Sequence, residues 1–153
     1  MATEDFEDTT YIFTIVSAGG WARSSLEAHG GSYSFRSGTI SDGQTSTAVI
    51  TVPAGAVAVQ FWYKVSSEQN YDFFRFYVGA AEQFSASGEV AWTQSTEYQL
   101  GGQTQISFSY SKDASSSSGA DAVYIDDVTF TLPVAHLLRP SSLPTAVQRA
   151  SRW

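Results

Sequence analysis

The sequence predicts an all-β fold, two antiparallel sheets packed as a jelly-roll β-sandwich with an extended C-terminal arm, and three observations carry the prediction. The chain is rich in Ser, Thr, Gly, Tyr, Phe and Val and poor in Leu, Lys and Glu, a composition that favours strands and turns over helices. Apolar residues recur at every second position in short runs separated by turn residues. No helical period appears before residue 133. The 153 residues suit one domain of ordinary size, with the sandwich over residues 1–132 and the arm over 133–153.

In chain order, residues 11–16 (YIFTIV) form the first apolar run, after the acids Glu4, Asp5, Glu7 and Asp8 that surround Phe6. Beyond the turn at Gly19 and Gly20 comes Trp21, then a short glycine-bounded strand in which Tyr33 and Phe35 alternate with Ser32, Ser34 and Arg36. Residues 44–52 put Ala48, Ile50 and Val52 on one face. The Pro53-Ala54-Gly55 turn then predicts that residues 57–65 pair beside them.

Residues 57–79 (VAVQFWYKVSSEQNYDFFRFYVG) are the centre of the pattern and read as a hairpin, two strands joined by a polar connection over 66–72. Val57, Val59, Phe61, Tyr63 and Val65 share one face and Phe74, Phe76 and Val78 continue it, because strand side chains alternate with period two. Trp62, Lys64, Arg75 and Tyr77 fall on the opposite face. Strands follow at 82–87, 92–100, 104–112 and 123–132, with a Ser-rich loop over 113–121 before the last. That makes about nine strands, a number that closes well as a jelly roll.

Charge divides unevenly: residues 1–132 hold five Lys and Arg against fifteen Asp and Glu, whereas residues 133–153 hold three Arg and no acid. The body therefore repels nucleic acid and anionic membrane, and the arm suits an acidic partner surface. Without cysteine there is no disulfide or thiolate site. The N-terminus opens on acids, unlike a signal peptide, and no run approaches a membrane span. The arm has three prolines and scatters apolar residues among its arginines. It is read as an assembly arm with one short helix over 144–151, docking through Leu137, Leu138, Arg139, Val147, Arg149, Arg152 and Trp153.

Seven short motifs occur in one order: Asp5 to Asp8, His29 to Ser34, Phe61 to Glu68, Tyr71 to Phe74, Trp92, Tyr110 to Asp113 and Tyr124 to Phe130. Over residues 4–131 the chain resembles MAM-type jelly-roll domains of the cysteine-free bacterial and phage kind, which are similar to calcium-containing carbohydrate-binding modules. The resemblance implies a structural calcium held by Glu7 and by Asp126 or Asp127, with carbonyls from residues 30–32; the competing reading is of ordinary strand-end acids. Two adjacent aspartates in an apolar strand need compensation. Asp126, in phase with Tyr124, Val128 and Phe130, is the expected inward one.

Sugar binding is expected at Trp62, Arg75, Tyr77 and Trp92, since aromatic faces stack on pyranose rings while charged groups take the hydroxyls. Against it stands the reading that these rings are core or interface. Lys64, Glu68, Asp72, Lys112, Asp113 and Asp121 are expected to brace loops as ion pairs. No nucleophile-and-base constellation or phosphate-binding motif is present, so no residue is assigned a catalytic role. The expected function is a non-enzymatic accessory protein of a bacteriophage particle, a capsid decoration or tail-associated protein. It is made in the host cytoplasm without a signal, meets other virion proteins or copies of itself through the arm, and displays a domain suited to host glycans. The alternative is a stand-alone carbohydrate-binding module of a bacterial surface or secreted system.

Overall fold

The computed structural model of the protein describes residues 1–133, so the docking residues expected between Leu137 and Trp153 lie outside the described residues. The strands are β1 (Ala2–Glu4), β2 (Thr14–Ser17), β3 (Ala22–Ser24), β4 (Ser34–Arg36), β5 (Thr45–Thr51), β6 (Ala58–Ser66), β7 (Phe73–Val78), β8 (Ala81–Ala86), β9 (Glu89–Gln94), β10 (Tyr98–Gln99), β11 (Gln105–Ser111) and β12 (Ala122–Thr131). They form two antiparallel sheets and, among the described residues, no helix. One sheet runs β10-β6-β12-β4-β3, with β1 also on β12 and β9 also on β6; the other runs β2-β5-β11-β7-β8. This is the predicted jelly-roll sandwich.

The alternation in the sequence is what packs the two layers. Along β7 the burial alternates at every residue, with Phe74, Phe76 and Val78 inward. In the facing sheet Val59, Phe61 and Val65 of β6 and Val123 and Ile125 of β12 meet them in one core cluster. With no disulfide available, that aromatic core carries the stability. Its polar handles are satisfied: the buried Trp21 Nε1 donates to the Ser46 carbonyl at 2.9 Å, and the hydroxyl of the buried Tyr110 donates to Asp121.

Three pairings differ from the sequence prediction. Residues 57–79 are not a hairpin: β6 lies in the seven-stranded sheet and β7 in the five-stranded one. A strand turns its apolar set inward whether its partner sits beside it or across the core, so period two reads the same in both cases. The connection over 67–72 is long enough to cross the ~10 Å between layers. By the same logic β5 and β6 are not neighbours, and the Pro53 turn also crosses between sheets, leaving β5 between β2 and β11. The run at 92–100 is broken at the buried Ser95, whose Oγ accepts the Phe61 amide at 3.0 Å, giving β9 and β10 in place of one strand.

A fourth difference bears on the site. Asp126 stands opposite Trp62, but the next register pair is Thr129 with Gln60, so β12 carries a bulge between them. Asp127 takes a left-handed φ of 46° there, a conformation that aspartate tolerates better than most residues. The extra residue reverses the phase of the strand. Val123 and Ile125 point into the core before it, Val128 and Phe130 after it. Asp126 is fully buried, as expected, yet it lies on the outer face of the sheet with Tyr124, out of phase with Val128 and Phe130.

Candidate functional site

The outer face of the seven-stranded sheet is covered by the segment between β3 and β4, and the acids expected to hold calcium fasten it. Asp126 Oδ2 accepts the amides of His29 at 2.8 Å and Gly30 at 3.2 Å, while Oδ1 accepts the Asp127 amide at 2.8 Å. Burial pushes the Asp126 carboxyl up to about 6, although all three amides favour its charged form. Glu7 Oε1 accepts the amides of Ser32 at 2.9 Å and Tyr33 at 2.8 Å. Gly31 makes that approach possible: its φ is +64°, and a Cβ there would stand 2.5 Å from the Glu7 carboxyl group. Asp127 Oδ2 meets His29 Nδ1 at 2.7 Å.

Glu7, Asp126 and Asp127 are thus brought to one turn from both ends of the domain. Glu7 Oε1 and both oxygens of Asp126 accept backbone N–H groups of the turn and of Asp127. Among the described residues these three do not form a group whose carboxylate oxygens lie within 4.8 Å of one another; Glu68, Asp72 and Asp113 do. In this arrangement the first trio serves the turn by hydrogen bonding. Arg23, to which the sequence reading gave no role, completes the fastening. Its guanidinium donates to the carbonyls of Phe6 at 2.6 Å and Glu7 at 2.7 Å and lies over the Tyr33 ring. An arginine in a three-residue strand opposite an acidic segment was the available signal.

The four expected sugar-binding residues separate into two pairs. Trp62 on β6 and Trp92 on β9 stand on the seven-stranded sheet, where His29 stacks on Trp62 with ring centroids 3.8 Å apart and meets Trp92 edge-on at 5.9 Å. One face of Trp62 is therefore taken by the protein itself. Lys64 in the same row pairs with Glu27 at 3.9 Å and takes no part in the loop-bracing network expected for it.

Arg75 and Tyr77 stand on the other sheet, facing away from the core. With Phe73 they form a stripe along β7 whose alternation leaves all three half-buried. Each is paired across β11 with a serine: Phe73 with Ser111, Arg75 with Ser109 and Tyr77 with Ser107. On the other side β8 sets Ser85 beside Arg75 and Glu82 beside Tyr77. Beyond β11 come Thr45, Thr47 and Val49 of β5 in register with the same serines, and Thr47 and Ser109 share a hydrogen bond of 3.0 Å. The Arg75 guanidinium is held in place: it donates to Ser111 Oγ at 2.8 Å, approaches Glu82 at 3.5 Å and lies 4.7 Å over the Phe73 ring. The result is an outer face with an aromatic and cationic stripe, beside which Ser107 and Ser111 are half-buried and Ser109 is buried. The serines of β11 were legible as the solvent side of a half-buried strand, but their neighbour was not.

The remaining acids gather at one end of the sandwich. Lys112 Nζ, buried, donates to Asp121 Oδ2 at 2.5 Å and Ser117 Oγ at 2.6 Å and faces Asp42 at 3.5 Å. The Tyr110 hydroxyl also donates to Asp121. Glu68, Asp72 and Asp113 lie beside this network without an ion pair among the described residues, so of the acids expected to brace loops as ion pairs only Asp121 does so.

No family model matches the chain, and no curated protein matches it. Solved structures do. The K2 cleaved adhesin domain of Lys-gingipain overlaps with a TM-score of 0.59 at 19% identity, over 86% of this chain and 98% of that one. The secreted serine protease VesC from Vibrio cholerae overlaps with a TM-score of 0.55 at 15% identity, over 64% of this chain. The chain spans only 21% of VesC's length, so nothing about catalysis passes to it. The CBM22-1 xylan-binding domain of Paenibacillus barcinonensis Xyn10C gives 0.47 at 13% identity, over 87% and 95% of the two chains. At these identities the likeness is one of fold alone.

Proposed function

We propose that this chain is a non-enzymatic recognition module that binds a glycan along the outer face of its five-stranded sheet. The stripe Phe73-Arg75-Tyr77, flanked in register by serine hydroxyls, is the observation that supports the reading. Phe73 and Tyr77, about 13 Å apart along the strand, offer apolar platforms to two non-adjacent rings of one sugar chain, and the guanidinium between them matches the hydroxyls of the intervening sugar. A side chain already braced by Ser111, Glu82 and Phe73 loses little freedom on binding. Trp62 and Trp92, engaged with His29, serve the fold in this reading. The kinship to MAM-type domains rests on the sequence motifs alone.

Affinity electrophoresis against soluble polysaccharides, preceded by a glycan array on the full chain, tests the site. Tyr77→Ala should weaken retention about tenfold, roughly 1.4 kcal/mol, and Arg75→Ala comparably, while Trp62→Ala on the far sheet leaves it unchanged. Loss with Trp62→Ala and none with Tyr77→Ala would move the site to the other sheet and sink this reading.

The charge division between an acidic body and a basic 133–153 segment favours a companion proposal, that the segment carries the module on a larger particle such as a phage virion. Removing residues 133–153 should abolish co-sedimentation with particles and leave glycan retention intact. Undiminished co-sedimentation of the truncated chain would refute it.

A further inference from the structure

Two buried carboxylate oxygens at the Lys112 end of the sandwich have no partner. Asp72 is completely buried; its Oδ1 accepts the Asp113 amide at 3.0 Å, but Oδ2 receives nothing. Glu68 Oε2 is likewise enclosed without a partner. A buried carboxylate oxygen left unpaired is costly, and here two occur together. Glu68, Asp72 and Asp113 each bring a carboxylate oxygen to within 4.8 Å of the other two.

The nearby cation does not relieve them. Lys112 has three N–H groups, directed to Asp121, Ser117 and Asp42. Burial and the mutual repulsion of the acids push the carboxyls of Glu68 and Asp72 up, and Lys112 opposes this only in part. The geometry is firm around the vacant oxygens: the Asp72 amide donates to the Glu68 carbonyl at 3.0 Å, and Ser67 Oγ donates to the Asp72 carbonyl at 2.8 Å while receiving the Gly88 amide at 3.1 Å. The three acids come from two connections, Glu68 and Asp72 from the crossing between β6 and β7, Asp113 from the end of β11.

We infer that Glu68, Asp72 and Asp113 form a binding site for a calcium ion, separate from the turn gripped by Glu7 and Asp126. The donors are all oxygen and all anionic, which selects a hard divalent cation over zinc or copper. Oxygens bound to one calcium ion at ~2.4 Å lie up to ~4.8 Å apart, and a cage of two loops suits the looser calcium shell better than the tight octahedron of magnesium. Bound there, the ion fills the lone pairs of Asp72 Oδ2 and Glu68 Oε2 and ties the β6–β7 crossing to the segment after β11. This inference is independent of any glycan.

The test is calcium titration calorimetry on the full chain after chelator treatment, with melting curves in EDTA and in millimolar CaCl2. Wild type should take up calcium and melt several degrees higher with it. Glu68→Gln keeps the shape of a side chain whose Oε2 makes no hydrogen bond, so it should fold, and it should weaken uptake at least about tenfold through the lost ligand charge. Asp72→Asn should do the same, and a melting curve in EDTA reports whether that variant is folded. Asp127→Asn, outside the site, should bind as wild type does. No uptake by wild type, or uptake undiminished in folded Glu68→Gln, overturns the site; the second result directs the ion elsewhere, with Asp127→Asn reporting on the turn of Glu7 and Asp126.

Discussion

Phe61→Ala is expected to lower the stability of the domain by about 3–5 kcal/mol and its melting temperature by roughly 10–15 °C. The ring is fully buried at the meeting point of the two sheets. It packs against Phe76 at 4.8 Å and Phe108 at 5.2 Å from the opposite layer, and contacts Phe74, Phe84, Tyr63 and Tyr98 at centroid distances up to 6.4 Å. Alanine leaves a void lined by rings whose positions are fixed by one another, so little collapse can fill it. Against a total stability of about 5–15 kcal/mol, the loss is large for a chain with no cysteine to cross-link it. Phe73→Ala, in the opposite sheet and on its outward face, should cost less than about 1 kcal/mol. Urea denaturation of both variants decides the matter. If the two losses are similar, the core is not centred on Phe61.

The contrast between Phe61 and Phe73 marks what could be read from the sequence. Period two assigned Phe61, Phe74 and Phe76 to the core and Trp62, Arg75 and Tyr77 to the outer surface, and the burial agrees. It could not distinguish a strand beside its predecessor from one across the core, so Trp62 and Tyr77 were placed on one surface when they stand on opposite sides of the sandwich. The bulge at Asp127 was also beyond reach, because an aspartate in the left-handed region looks like any other aspartate in the chain. The motifs did put Glu7, Asp126 and Asp127 beside the turn over residues 30–32. They did not say that amides, which every residue but proline carries, would take up the carboxylates.

Asp126→Ala should be nearly as damaging as the loss of Phe61, for a different reason. One carboxylate accepts the amides of His29, Gly30 and Asp127 beneath a covering segment that excludes water. Removing it leaves the three donors without acceptors, at about 1–3 kcal/mol for each that stays buried; partial opening to solvent should hold the sum near 3–4 kcal/mol. Asp126→Asn should fall between alanine and wild type. Its carbonyl oxygen can still serve His29 and Gly30, but its amide then faces the Asp127 N–H, donor against donor. Hydrogen exchange separates a local from a global effect. If the clamp acts locally, the amides of His29 and Gly30 exchange on the order of a hundredfold faster while those of β11 keep their protection, and Trp62 fluorescence changes as His29 leaves its face. If instead β11 loosens in parallel, Asp126 supports the sandwich as a whole through the bulge of β12. An alanine variant that melts with wild type and keeps both amides protected would show that the turn is held from the other side, by Glu7 and Arg23.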